Sequence, residues 1–191
     1  GGGGGGRDSG PSQSPGGYGG GGQGAYQSNP NAATQQSLRY GVSGTGGGGG
    51  SGADGTSNDA GSGGSGVVIV RYQIGRVTAT AKATGGSISY YNNKTIHTFT
   101  GSGTFVNPGS ISGVEIVMVA GGGAGGNNIA GGGGAGGYLQ SETPLILTAN
   151  TYTIVVGGGG GGLNSSGDAT PGDASNTTIT YPGPYTWTAN R

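Results

Sequence analysis

The feature that most constrains this chain is its runs of nearly pure glycine, at 1–6, 46–50, 121–126, 131–134 and 157–162. Glycine has no side chain to bury, and fixing one backbone residue costs about 1–2 kcal/mol, most severely for glycine. A backbone hydrogen bond returns a net of about 0.5–1.5 kcal/mol. A glycine run therefore stays an unstructured tether, or orders only where nearly every N–H and C=O finds a partner. A bundle of polyproline II helices, with about three residues per turn and about 3.1 Å rise, meets that demand when neighbours approach closely enough to bond sideways. Side chains would block the approach, so glycine becomes a steric requirement. Collagen is excluded, because the glycines come in runs rather than at every third position and there are only 8 prolines. A flexible Gly/Ser linker is the alternative, weaker for 121–137 and 157–162, where strands hold the ends.

Between the runs lie short β-branched segments. Val67-Val68-Ile69-Val70-Arg71-Tyr72 reads as a strand. Ser87 to Tyr90 and Thr95 to Phe99 read as a hairpin turning at Tyr91-Asn92-Asn93-Lys94. Further strands are expected at Thr104 to Val106, after which Asn107-Pro108-Gly109 turns, and at Val114 to Val119, Tyr138 to Gln140, Leu145 to Leu147 and Tyr152 to Val156. Strand passes into glycine at Val119 and Val156 and glycine into strand at Val67, so the runs are expected to emerge from a common sheet edge. The expected class is all-β: a small antiparallel β-sandwich joined to a bundle of polyglycine II helices, with almost no α-helix.

Composition narrows function. The 54 glycines stand beside 7 basic and 7 acidic residues, a net charge of zero, and no cysteine. A glycine-rich RNA-binding segment would carry Arg-Gly-Gly repeats and a basic excess, so no nucleic-acid partner is expected. No run approaches the roughly 20 apolar residues of a membrane span, and no secretory signal is present. The chain opens on glycine rather than methionine and stops at Arg191 without a terminal signal, so it is read as a segment of a longer protein.

No catalytic, cofactor-binding or metal-binding residue is expected. Gly121 to Gly126 satisfies the dinucleotide pattern G-x-G-x-x-G, but more glycine follows where a helix is needed to meet pyrophosphate. Gly49 to Asp54 resembles a single calcium-binding repeat, and such repeats bind only as stacks. The lone His97 reads as a strand surface residue, Asp59, Asp168 and Asp173 as dispersed residues, and Glu115 and Glu142 as unpaired carboxylates.

The order Thr95 to Phe105, Val114 to Gly123, Gly131 to Tyr138 and Tyr152 to Gly158 resembles the glycine-rich domain family of bacteriophage tail fibres and virion proteins. Gly63 to Tyr72 is similar to the closing motif of such a domain. The resemblance implies that residues 1–72 end one glycine-rich unit, 73–86 connect, and 87–191 begin a second. It implies a jelly-roll-like sandwich joined to polyglycine II helices, a place on a virion or other extracellular fibre, and a role in host-cell attachment. Expected partners are copies of the chain, other fibre proteins, and a host surface glycan or envelope protein. A self-associating extracellular filament or cell-surface matrix protein is the alternative. Aromatic side chains set between glycines, Tyr18, Tyr26, Tyr40, Tyr181, Tyr185 and Trp187, are the candidate receptor contacts. Tyr138 is a weaker candidate, with packing over glycine backbone preferred for it.

Overall fold

The structure is a computed structural model that describes residues 1–4, 14–25, 36–52, 59–73, 81–126, 130–162, 172–181 and 186–191. Among the described residues ten strands form in chain order: β1 (Val67–Gln73), β2 (Ser87–Tyr91), β3 (Lys94–Phe99), β4 (Gly103–Asn107), β5 (Ile111–Val119), β6 (Tyr138–Gln140), β7 (Leu145–Leu147), β8 (Asn150–Val155), β9 (Thr177–Thr180) and β10 (Thr186–Ala189). Among the described residues the only helical element is a single 3-10 turn, Gln36–Arg39.

The strands make two antiparallel sheets. One runs β2-β3-β1-β5-β6, with β7 also on β5; the other runs β10-β9-β8-β4. Alternation decides which side chains meet between them. Val68, Val70, Tyr72, Phe99, Ile116 and Met118 of the first sheet pack with Phe105, Tyr152, Ile154, Ile179 and Ala189 of the second in one buried core. The β2-β3 hairpin turns on Asn92 and Asn93 at φ 47° and 56°, the left-handed pair that a two-residue hairpin of matching twist requires. The chain crosses from the second sheet to the first at Asn107, whose side-chain amide donates to the carbonyls of Leu147 and Thr148 at 3.0 and 2.9 Å. Gly113, at φ +69°, sits at the register shift between Ile111 and Val114, within the pairing of β5 with β7.

β1, from the segment read as closing one unit, lies between β3 and β5, from the segment read as opening the next, and all three share one sheet. Residues 74–80 lie outside the described residues, but Ala83 is buried in the core and Thr84 bridges Val106.

The glycine runs leave the sandwich together. Val67 faces Val119 and Val119 faces Tyr138, so the backbones of 60–66, 120–126 and 131–137 start from one end of the first sheet. Val155 faces Thr178 at the end of the second sheet from which 157–162 departs. The common origin is thus a set of strand ends rather than a lateral sheet edge.

Residues 46–52 form the buried axis of this assembly. Gly48 and Ser51 donate to the carbonyls of Gly1 and Gly4, Gly49 and Gly52 to those of Gly123 and Gly126, and Gly50 to that of Arg39, at 2.7–3.0 Å. In return Gly46 and Gly49 accept from Gly136 and Gly133, Gly47 and Gly50 from Gly64 and Gly61, and Gly48 and Ser51 from Gly22 and Ala25. Apart from the Gly50 donor, whose counterpart Gly47 bonds to Thr45 Oγ1, donors and acceptors repeat at every third residue, and the six directions reach six separate backbone segments. A strand within a sheet bonds to two neighbours. A Cβ on Gly47, Gly48, Gly49 or Gly50 would overlap a carbonyl oxygen of Gly20, Gly133, Gly61 or Gln23 respectively.

Gly134 has nothing within 4 Å of where its Cβ would stand. Gly49→Ala is therefore expected to destabilise the protein by about 1–3 kcal/mol through overpacking. Gly134→Ala is expected to be neutral or to stabilise by about 0.4–1 kcal/mol through the unfolded chain. Denaturant unfolding of the two variants checks the pair, and equal effects would contradict the packing.

Candidate functional site

A concavity opens at the side of the sandwich where β6 and β7 divide the edge of β5 between them. Val117 to Val119 pair with β6, Ile111 and Val114 pair with β7, and the loop 141–144 between them leaves the sheet. Pro144 ends that loop and has no N–H to give a ladder. Trp187, on edge strand β10 of the other sheet, completes the cleft. Its volume is about 470 Å³, lined at the base by buried Ile116 and half-buried Leu139, Leu145 and Trp187. Exposed Tyr138, Gln140, Glu142 and Thr143, with half-buried Ser141, carry its polar atoms.

These polar groups are ordered locally. The Tyr138 hydroxyl donates to Gln140 Oε1. The Ile116 N–H donates to Ser141 Oγ at 3.1 Å, while the Ser141 N–H returns to the Ile116 carbonyl at 3.0 Å. Glu142 joins no ion pair among the described residues. The arrangement offers hydroxyl, amide and carboxylate groups above an apolar and aromatic base; it holds no nucleophile oriented by a base.

A second polar cluster is enclosed. His97, expected at the surface, is fully buried, because Thr95, His97 and Phe99 share the face of β3 that meets the core. Its Nδ1 lies 2.7 Å from the Gly85 carbonyl, which can only accept, so Nδ1 carries the proton. Nε2 then accepts from the Tyr72 hydroxyl at 2.9 Å, and that hydroxyl accepts from the Ala83 N–H at 3.3 Å. The ring also stacks on Tyr72 and meets Phe105 edge-on, with centroids 5.5 and 5.1 Å apart. Burial pushes the imidazole below its ordinary 6.5, with the Gly85 hydrogen bond opposing. With both nitrogens committed inside the core, His97 is a structural residue.

Several other charged side chains are paired or hydrogen-bonded. Glu115 takes Lys94 and Arg71 on the outer face of the first sheet, and these hydrogen bonds hold its carboxyl below the ordinary value. Asp173 pairs with Arg191. Gln36 reaches Asp59 Oδ2 at 3.2 Å, and buried Arg39 donates to the Asp59 carbonyl at 2.5 Å. Among the described residues no three of His, Asp and Glu gather where a metal ion would sit. The stretch 121–126 with the dinucleotide pattern lies inside the glycine assembly, bonded to Ser175, Gly64, Gly134, Gly61 and Gly131. Asp54 and Asp168 lie outside the described residues.

The candidate contact residues separate. Tyr18 is fully exposed on a turn and Tyr40 is 44% exposed. Tyr181 is half-buried and stacks on Tyr152 at 5.8 Å, while Trp187 is half-buried at the base of the cleft. Tyr26 and Tyr185 lie outside the described residues. Tyr138, expected to pack over glycine backbone, is 63% exposed on the cleft wall. Gln140 to Thr143 were not among the expected contacts, since a short polar run in a chain rich in such residues carries no signal until β5 pairing brings it beside Trp187.

Fold and cleft together define an all-β, glycine-rich protein in which two antiparallel sheets seat a hydrogen-bonded glycine assembly. Residues 97–190, from the middle of β3 to the end of β10, match the family model described as a glycine-rich domain. The match leaves out β1 and the glycine axis 46–52, both of which bond to segments within it. No curated protein and no solved structure matches the chain.

The buried imidazole sets the acid response. Its folded value lies below 6.5, so the unfolded chain takes a proton that the folded chain resists; stability is full above pH 6.5 and falls as pH drops below it. Glu115, depressed below 4.5, contributes stability that is lost only as pH falls through its own lowered value. Thermal melts are expected to be flat between pH 6.5 and 10.0, above which the buried Tyr72 phenol resists an ionisation the unfolded chain undergoes, and to decline below pH 6.5, with the first part of that decline reduced in His97→Gln. An unchanged decline in that variant would assign it elsewhere.

Proposed function

We propose that the chain is a structural component of a phage tail fibre or similar virion appendage, in which the glycine assembly is a bundle of polyglycine II helices acting as a stiff spacer and the sandwich contributes to host-cell attachment. The observation that carries this reading is the buried axis 46–52, bonded at a three-residue interval to six neighbouring segments. A flexible tether would need no such partners, whereas a rod under load between a particle and a surface does. The match of 97–190 to a glycine-rich domain accords with the glycine assembly, and the resemblance of the strand and glycine order to virion proteins supports the fibre. The chain performs no catalysis in this reading, and its partners are other fibre subunits and a host surface molecule.

A self-associating extracellular filament is favoured by one specific feature. β2 is an edge strand in which all five residues, Ser-Ile-Ser-Tyr-Tyr, are exposed and none is charged, leaving an edge open to pairing.

Antibody against the chain is expected to decorate a tail appendage of purified virions in immunogold microscopy. Label confined to a cell-surface matrix would contradict the fibre reading and support the filament.

A further inference from the structure

We infer that the cleft between β6, β7 and β10 is a binding site for a neutral saccharide, an assignment that rests on the attachment reading and gives it a location. A pyranose ring has an apolar C–H face and a periphery of hydroxyls, each both donor and acceptor. The cleft presents the complement. Ile116, Leu139, Leu145 and Trp187 form an apolar base, and Tyr138 adds a second aromatic ring at the wall. Trp and Tyr supply large, rigid contact area with a polar tip, suited to a ligand that is apolar on one face and wet on the other.

The polar groups have capacity to spare. Gln140 spends its carbonyl oxygen on Tyr138. Both of its amide N–H donors are without a protein partner among the described residues. Ser141 Oγ accepts from the Ile116 backbone, which leaves its hydroxyl proton for a ligand. The Glu142 carboxylate, in no ion pair among the described residues, accepts from sugar hydroxyls, and the Thr143 hydroxyl does either. At about 470 Å³ the cleft falls within the range of small-ligand sites, roughly 300–1,000 Å³.

Charge selects within the class. Among the described residues no Lys or Arg lines the cleft and one carboxylate does. An acidic sugar meets like charge with nothing to offset it, so uronic and sialic acids are disfavoured relative to neutral hexoses and N-acetylhexosamines.

Trp187 is the only tryptophan of the chain, so intrinsic fluorescence reports on the cleft directly. The test titrates the whole chain with neutral gluco-, galacto- and manno-oligosaccharides, N-acetylglucosamine oligomers, and the acidic sialyllactose and oligogalacturonate. At least one neutral series is expected to give a saturable change in Trp187 emission, with the acidic sugars weaker by about tenfold or more. Tyr138→Ala, at an exposed position, is expected to weaken the neutral ligand by about tenfold with an unchanged melting temperature. Glu142→Gln is expected to narrow the gap between acidic and neutral sugars. No saturable change with any neutral series, affinity unmoved by Tyr138→Ala, or tighter binding of the acidic sugars would each overturn the assignment. A saturable response to an extended peptide and to no sugar would overturn it in favour of strand addition at β6. Sugar binding without virion label would sink the fibre reading and leave the site; virion label without sugar binding would do the reverse.

Discussion

Everything in this structure depends on a backbone that must be buried without side chains. Residues 46–52 sit at the centre of the glycine assembly, where unpaired N–H and C=O groups would each cost about 1–3 kcal/mol. A flat sheet satisfies a strand from two sides and leaves its faces to side chains. Glycine has none to offer, so the axis bonds instead to six neighbouring backbone segments, with partners that recur at a three-residue interval. That solution explains the composition of its neighbours, because a Cβ at most of these positions would occupy the space of a carbonyl oxygen.

The glycine assembly does not stand by itself. Hydrogen bonding and backbone entropy nearly cancel for each glycine, and burial of apolar area contributes almost nothing. The sandwich supplies the difference. It buries Val68, Tyr72, Phe105, Met118 and Ile154 in one core and fixes the ends of several glycine segments at adjacent strand termini, so the loss of chain freedom is largely met before the glycine bonds form. The buried Tyr72 and His97 pair, satisfied by Gly85 and Ala83, ties the chain leading into β2 to the same core. The Arg71, Glu115 and Lys94 cluster lies on the outer face, partly exposed, where such pairs contribute little.

Much of this was legible in the sequence. β-branched runs marked β1, β5 and β8, and Asn92-Asn93 marked the hairpin, because those residues have few other good conformations. The need of the glycine runs for backbone partners followed from what glycine lacks. What escaped depended on parity and on distance along the chain. His97 shares a strand with Ile96 on one face and Phe99 on the other, so alternation alone did not say which face was inward. Arg39, at the end of the 3-10 turn, supplies a carbonyl to the axis that no local pattern announces. The cleft was hidden for the same reason: Tyr138 and Trp187 read as separate aromatics, and only the pairing of β6 with β5 and the packing of β10 across the core put them at one opening.

The central claim is that the glycine axis is ordered by lateral backbone hydrogen bonds, and amide hydrogen exchange tests it most directly. The amides of Gly48 to Gly52 are compared with those of Val114 to Val119 in β5 of the intact chain. Protection of the glycines comparable to that of the strand is the expected result, since every one of those N–H groups is bonded and buried. Exchange at the rate of an unfolded chain, with the strand still protected, would reduce the glycine segments to tethers and contradict the account.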